Sequence, residues 1–142
     1  MKLKDRVVLI TGAGSGIGHQ TALACAREGA KIVAVDLDEA AAAKTCAAIG
    51  AGDAIAVQSD VSRAADCAHM VQRAEEDFGR LDVLVNNAGI SRVVPAVDDD
   101  LDGFRRELAV DLVAPYELAR RAARWWIDND QPGVVVNLGS AM

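Results

Sequence analysis

The chain has 142 residues with 15 Lys and Arg against 21 Asp and Glu, a formal net charge of -6. That length suits one domain, and the acidic balance argues against the basic face of a nucleic-acid binder. No apolar run approaches membrane-spanning length and no basic-then-apolar leader opens the chain, so the expected setting is cytoplasmic, without a membrane partner.

Strand and helix patterns alternate from the start. Val7-Val8-Leu9-Ile10 is an apolar strand pattern. Behind it stands Thr11-Gly12-Ala13-Gly14-Ser15-Gly16-Ile17-Gly18. A P-loop would need Gly, four residues, then Gly-Lys-Ser/Thr. Counted from Gly12 or Gly14, that pattern lands on Ile17 or His19 and fails. The plain Gly-x-Gly-x-x-Gly fingerprint also fails, because Ile17 stands where the third glycine belongs. What remains is Thr-Gly-x-x-x-Gly-x-Gly. A strand, a glycine turn and a helix N-terminus in that order make a phosphate cradle, with backbone N–H groups aimed at the anion.

The next segments continue the alternation. Gly16–Glu28 reads as a helix closed by Gly29, and Lys31–Val35 as a second strand. Asp36 ends that strand, and Asp38 is placed to cap a helix running through Ile49. Ala54–Val57 is a third strand, followed by Asp60-Val61. Ser62 is placed to cap a helix with the stripe Cys67, Val71, Ala74, Phe78, which Gly79 ends. Leu81–Val85 is a fourth strand, leading into Asn86-Asn87-Ala88-Gly89. Asp98–Gly103 mimics the start of a calcium loop, but the twelfth position holds Ala109 instead of Glu. An acidic helix start is the simpler account. A long helix is expected from about Phe104 to Asp128, its stripe at Leu108, Leu112, Pro115, Ala119, Ala122 and Trp126. Tyr116 is expected to pack on a face of that helix, and Trp125-Trp126 to pack or mark an interface. Gly133–Leu138 is the fifth strand. His19 and His69 fall on different predicted helices and form no metal set. Cys25, Cys46 and Cys67 read as packed thiols in a reducing compartment.

Near-continuous apolar strands imply burial on both faces. Together with short strand–helix connections they give the expected fold: α/β, a Rossmann-type doubly wound parallel sheet, one dinucleotide-binding domain over residues 1–142. Ligands belong at the carboxyl ends of its strands.

Thr11–Gly18, Asp60-Val61, Asn86–Gly89 and Val136–Ser140, in this order, resemble the short-chain dehydrogenase/reductase family from about Lys4 onward. The resemblance implies hydride transfer between a nicotinamide cofactor and a small-molecule alcohol or ketone, in a homo-oligomer. It implies cofactor contacts from Gly12, Ser15, Gly16, Ile17 and Gly18, from Asp36 and Leu37, from Asp60 and Val61, from Asn87, Ala88 and Gly89, and from Val110. A carboxylate at Asp36 can accept from both ribose hydroxyls and repels a 2′-phosphate, so NAD is expected over NADP. For Asp60 two readings stand side by side: acceptor for the adenine amino group, or cap of the helix that follows.

The family's proton chemistry uses a Tyr-x-x-x-Lys motif, a Ser and an Asn. Ser140 maps to the Ser. Asp111, in Leu108–Leu112, maps to the Asn, and a carboxylate accepts hydrogen bonds but donates none. Pro115 offers no N–H to the Asp111 carbonyl, which is expected to stay free to hold a relay water. The single tyrosine, Tyr116, has Arg120 four residues on and does not fit the motif. Against the family pattern the sheet is expected to stop after about the fifth strand, leaving that strand an open edge. These 142 residues are therefore expected to bind cofactor without turnover, either as part of a dehydrogenase or as a non-catalytic nucleotide-binding remnant.

Overall fold

The computed structural model describes residues 1–140. The elements are β1 (Val7–Thr11), α1 (Gly16–Arg27), β2 (Lys31–Asp36), α2 (Glu39–Ile49), β3 (Ala54–Gln58), α3 (Ala64–Phe78), β4 (Val83–Asn86), α4 (Leu101–Leu108), a π turn over Ala109–Val113, α5 (Ala114–Asp128) and β5 (Val134–Asn137). The five strands form one parallel sheet in the order β3-β2-β1-β4-β5. The chain builds outward from β1 to β3, then crosses back to place β4 on the other side of β1. The strand order thus reverses between β1 and β4, and a crevice opens at their carboxyl ends.

Successive side chains of a strand point to opposite faces, so each apolar run feeds two cores. Leu9, Val33, Val35 and Leu84 face Met70, Val71 and Ala74 of α3 and Leu118, Ala122 and Trp126 of α5. Val8, Ile10, Ile32, Ala34 and Val85 face Ala22 of α1, with Cys25, Cys46 and Ile49 packed against them. The α/β layering expected from the sequence is the observed one. Burial pushes the Cys67 thiol up to about 11, as suits a packed thiol. No helix among the described residues is long and apolar enough to cross a membrane.

Several local expectations need correction. The third helix starts at Ala64 behind Arg63, and Ser62 does not cap it. Ser62 instead gives its N–H and its hydroxyl to Asp60 Oδ1, at 3.0 and 2.6 Å. The fourth strand begins at Val83, although the Asp82 main chain already bonds to Val7 and Val134 on either side. The Leu81 carbonyl accepts from Trp126 Nε1 at 2.7 Å, and the buried Asp82 carboxylate takes Arg6 and Arg80.

The expected long helix is present as an unbroken helical run from Leu101 to Asp128, but it is not α throughout. Pro115 has no N–H and its ring crowds the carbonyl four residues back, which disfavours ordinary helix at this point. The backbone widens into the π turn, where the Ala114 N–H donates to the Ala109 carbonyl. The wider turn changes the phase of the stripe. Val110, Ala114, Leu118, Ala122, Trp125 and Trp126 are buried, whereas Leu108 and Leu112 are exposed. Tyr116 is 70% exposed and does not pack as expected. β5 also departs from the doubly buried pattern: Val134 and Val136 are exposed, and among the described strands it pairs with β4 alone.

Candidate functional site

The glycine loop leaves β1 and turns back into α1. Gly18 packs α1 against this turn: a Cβ there would collide with the Gly12 carbonyl and the Asn87 amide. Ser15 precedes the helix, and its side chain makes no capping hydrogen bond. The first N–H groups of α1 are left for another acceptor, and the helix start favours an anion.

The end of β4 locks the loop in place. Asn87 Nδ2 donates to the carbonyls of Thr11 and Gly12 at 2.9 and 3.2 Å. The buried Thr11 hydroxyl oxygen accepts the N–H groups of Asn87 and Ala88, both at 3.0 Å. Asn86 Nδ2 donates to Asn137 Oδ1 at 2.8 Å, joining β4 to β5. The Asn-Asn-Ala-Gly segment is therefore scaffold first, binding the end of one strand to the turn after another.

Two carboxylates follow at the ends of β2 and β3. Asp36 accepts the Gly14 N–H at Oδ2 (2.8 Å) and the Asp38 N–H at Oδ1 (3.0 Å). Asp38 in turn caps α2 through the Ala41 N–H. Asp60 accepts from Ser62 as described and from both Nη atoms of Arg106 at 3.2 Å. Burial pushes the Asp60 carboxyl up, but Ser62 and the Arg106 guanidinium outweigh it, so the group lies below the usual carboxylate range.

These parts meet around one cleft of about 580 Å³. It is lined by Gly12, Ser15, Gly16 and Ile17 of the loop, Asp36 and Leu37 after β2, and Asp60 and Val61 after β3. Asn87, Ala88 and Gly89 after β4, and Val110 of the π turn, complete the expected set. Gly18 lies behind this wall. Ser140 is exposed on the segment after β5 and does not line the cleft. Asp111 stands at the rim, where its Oδ1 accepts the Ile90 N–H at 2.9 Å. A larger groove of about 650 Å³ between α3 and α5 touches none of these residues.

A family model described as short chain dehydrogenase matches residues 6–142. The chain belongs to the short chain dehydrogenase family. It is 39% identical over 141 residues to a 2-(S)-hydroxypropyl-CoM dehydrogenase of Xanthobacter autotrophicus, covering 98% of this chain and 55% of that protein. It is 36% identical over 140 residues to galactitol 2-dehydrogenase of Agrobacterium fabrum, covering 99% and 54%. A crystal structure of a short chain dehydrogenase from Mycobacterium avium superimposes with a TM-score of 0.94 at 35% identity, covering 99% and 54%. A 3-ketoacyl-(acyl-carrier-protein) reductase from Brucella melitensis complexed with NADH gives 0.90 at 37% identity, covering 97% and 58%. The chain thus spans about half the length of each of these four proteins.

Within this family frame, the expected cofactor set leaves out four residues that line the cleft: Val35, Ser59, Ile90 and Arg106. Val35 and Ser59 flank the expected Asp36 and Asp60, so extending each motif by one residue would have found them. Arg106 carries no motif. It reaches Asp60 across 46 residues of sequence, and only the π turn and α4 bring it there.

Proposed function

We propose that the cleft holds NAD, in preference to NADP, within a short chain dehydrogenase that oxidises an alcohol or reduces a ketone. The observation that carries this reading is the meeting of an uncapped helix start with the Asp36 carboxylate at a single cleft. Its size is within the range of small-molecule and cofactor sites. Gly12 and Gly16 place main chain, not side chain, on the wall where a pyrophosphate approaches. The amides at the start of α1 receive its charge. Asp36 keeps a lone pair on each oxygen beyond the two backbone amides it holds, enough for ribose hydroxyls. Its charge opposes a 2′-phosphate, and the one arginine lining the cleft is already paired with Asp60. The NADH-bound neighbour supports the nicotinamide class.

When bound, the cofactor would supply or accept the hydride. The chain's own residues position it: Asn87 and Thr11 fix the loop, and Asp111 fixes the segment at Gly89-Ile90. Ser140 is proposed to hydrogen-bond the reacting oxygen, by its match to the family serine. A homo-oligomer in the cytoplasm belongs to the same reading, with the exposed apolar face of α4 and the π turn in its support. Calorimetric titration with NAD and then NADP tests the proposal. Tighter binding of NAD is expected; equal or tighter binding of NADP overturns it.

A further inference from the structure

The glycine loop is tied from a side that faces away from the cleft. Thr45 stands in α2, is fully buried and does not line the cleft. Its hydroxyl oxygen lies 2.8 Å from the Ala13 carbonyl and 3.3 Å from the Ala41 carbonyl of its own helix. His19 Nδ1 lies 2.8 Å from the same oxygen. A hydroxyl has one proton, and a carbonyl only accepts. The Thr45 proton therefore goes to a carbonyl, and the bond to His19 takes its proton from the imidazole. A threonine inside a helix can return its hydroxyl to the carbonyl four residues back. Here the shorter bond leaves the helix for the loop.

Ala13 and His19 bracket the turn that enters α1. Between them run Ser15, Gly16, Ile17 and Gly18, at a helix start without a side-chain cap. One buried oxygen thus joins the residue before these amides to the residue after them. Two further bonds hold the loop on the same side: the Ala13 N–H donates to the Val35 carbonyl at 2.9 Å, and the Gly14 N–H to Asp36 Oδ2 at 2.8 Å. Packing there is tight, since a Cβ on Gly14 would collide with the Cβ of Ala41. The crest of the turn is different. A Cβ on Gly16 would meet nothing within 4 Å, so the crest at that point depends on how its two ends are held.

We propose that Thr45 is a positioning residue for the dinucleotide's pyrophosphate: its hydroxyl, set between His19 and Ala13, holds the amides of Ser15 to Gly18 in the arrangement that receives the anion. This rests on the dinucleotide reading of the cleft. Thr45 touches no ligand and acts through the loop. A turn already ordered before binding spends none of the affinity on being ordered, and a loosened one does. The consequence is selective: only a ligand that carries phosphate depends on the Thr45 hydroxyl.

The test is titration of the 142-residue chain with NAD and with adenosine, which keeps the base and one ribose and lacks the pyrophosphate. Thr45→Val keeps the volume and removes the hydroxyl, so the Ala13 carbonyl and the His19 N–H lose their shared partner. It is expected to weaken NAD about tenfold and adenosine by less than about twofold. Thr45→Ser restores the hydroxyl and is expected to bind NAD within about threefold of the wild type. A Thr45→Val variant that binds NAD as the wild type does overturns the inference, as do equal losses for the two ligands or a Thr45→Ser variant as weak as Thr45→Val. If Thr45→Val does not fold, His19→Leu removes the other arm from a half-buried position. It is expected to weaken NAD about fivefold and to leave adenosine unchanged, and unchanged binding of NAD then overturns the inference. Wild-type protein that binds no NAD overturns the dinucleotide reading and this inference together.

Discussion

The Ile90 N–H donates to Asp111 Oδ1 at 2.9 Å, joining the loop after β4 to the π turn. An asparagine at 111 keeps that acceptor, since its side-chain carbonyl can occupy the place of Oδ1. Asp111→Asn is therefore expected to leave kcat/KM within about tenfold in a protein that also carries the family's Tyr-x-x-x-Lys motif. Asp111→Ala removes the acceptor and frees the loop, and is expected to cost more. A change beyond roughly a hundredfold in the Asn variant, the scale of a whole acid–base contribution, would show that the negative charge itself takes part.

Asp36 has two duties that one substitution can separate. Its oxygens hold the N–H groups of Gly14 and Asp38, and its charge opposes a 2′-phosphate. Asp36→Asn retains one of these acceptors and removes the charge. It is expected to lose most of the preference for NAD while melting close to the wild type. Asp36→Ala is expected to lose the preference and also about 1 kcal/mol of stability for the orphaned amides. Paired calorimetric and thermal scans distinguish the two. An Asn variant that keeps its full preference for NAD would assign the discrimination to another group.

The sheet was legible because each strand is a continuous apolar run followed by turn chemistry, and Gly29 and Gly79 punctuate two of the helices as expected. Most of the cleft was legible for a local reason: Gly12 to Ile17, Asp36 and Asn87 to Gly89 sit directly behind strands whose ends define the crevice. The long helix was legible but the phase of its buried stripe was not, because a period of 3.6 carries no sign of where a backbone will widen. Pro115 is the signal: its missing N–H accompanies the wider turn, and the resulting phase shift puts Ala114 in the core where Leu112 was expected. Arg106 was missed because its partner is remote in sequence, and pairings of that kind follow from the fold alone.

Asp82 gives the fold a defined acid sensitivity. It is buried and accepts from Arg6 at 2.8 Å, from Arg80 at 2.6 and 2.8 Å and from the Val7 N–H at 2.9 Å. Burial pushes its carboxyl up, yet the hydrogen bonds from Arg80, Val7 and Arg6 hold it below its ordinary value of 3.8. A folded state with the lower pKa binds the proton less readily than the unfolded chain. The stabilisation is thus fully present above 3.8 and is lost as the pH falls below that value towards the folded one. Asp82→Asn is expected to cost about 2 kcal/mol near neutrality, because both arginines are partly exposed and screened. The gap between variant and wild type should narrow in melts taken near pH 3. A gap of constant size across the series would assign the cost to packing and not to charge.

Gly16 and Gly18 stand two residues apart in one loop and should fail for different reasons. Gly16 has a φ of +52°, but a Cβ there meets nothing within 4 Å. Alanine at 16 is strained by the left-handed backbone alone, about 1 kcal/mol, and the loop keeps its shape. Gly18 lies outside the left-handed region, and its difficulty is space: an added Cβ would collide with the Gly12 carbonyl and with Asn87 Nδ2. Relief requires α1 to move away from the turn, which displaces the helix start from the cleft and breaks the Asn87 bonds to Thr11 and Gly12. Gly18→Ala is accordingly expected to lose NAD binding by a hundredfold or more, on the order of 3 kcal/mol. Gly16→Ala should retain binding within about tenfold, unless a pyrophosphate needs the room above it. Titration of both variants with NAD decides the matter, and equal losses would show that Gly18 contributes no packing constraint beyond its neighbour's.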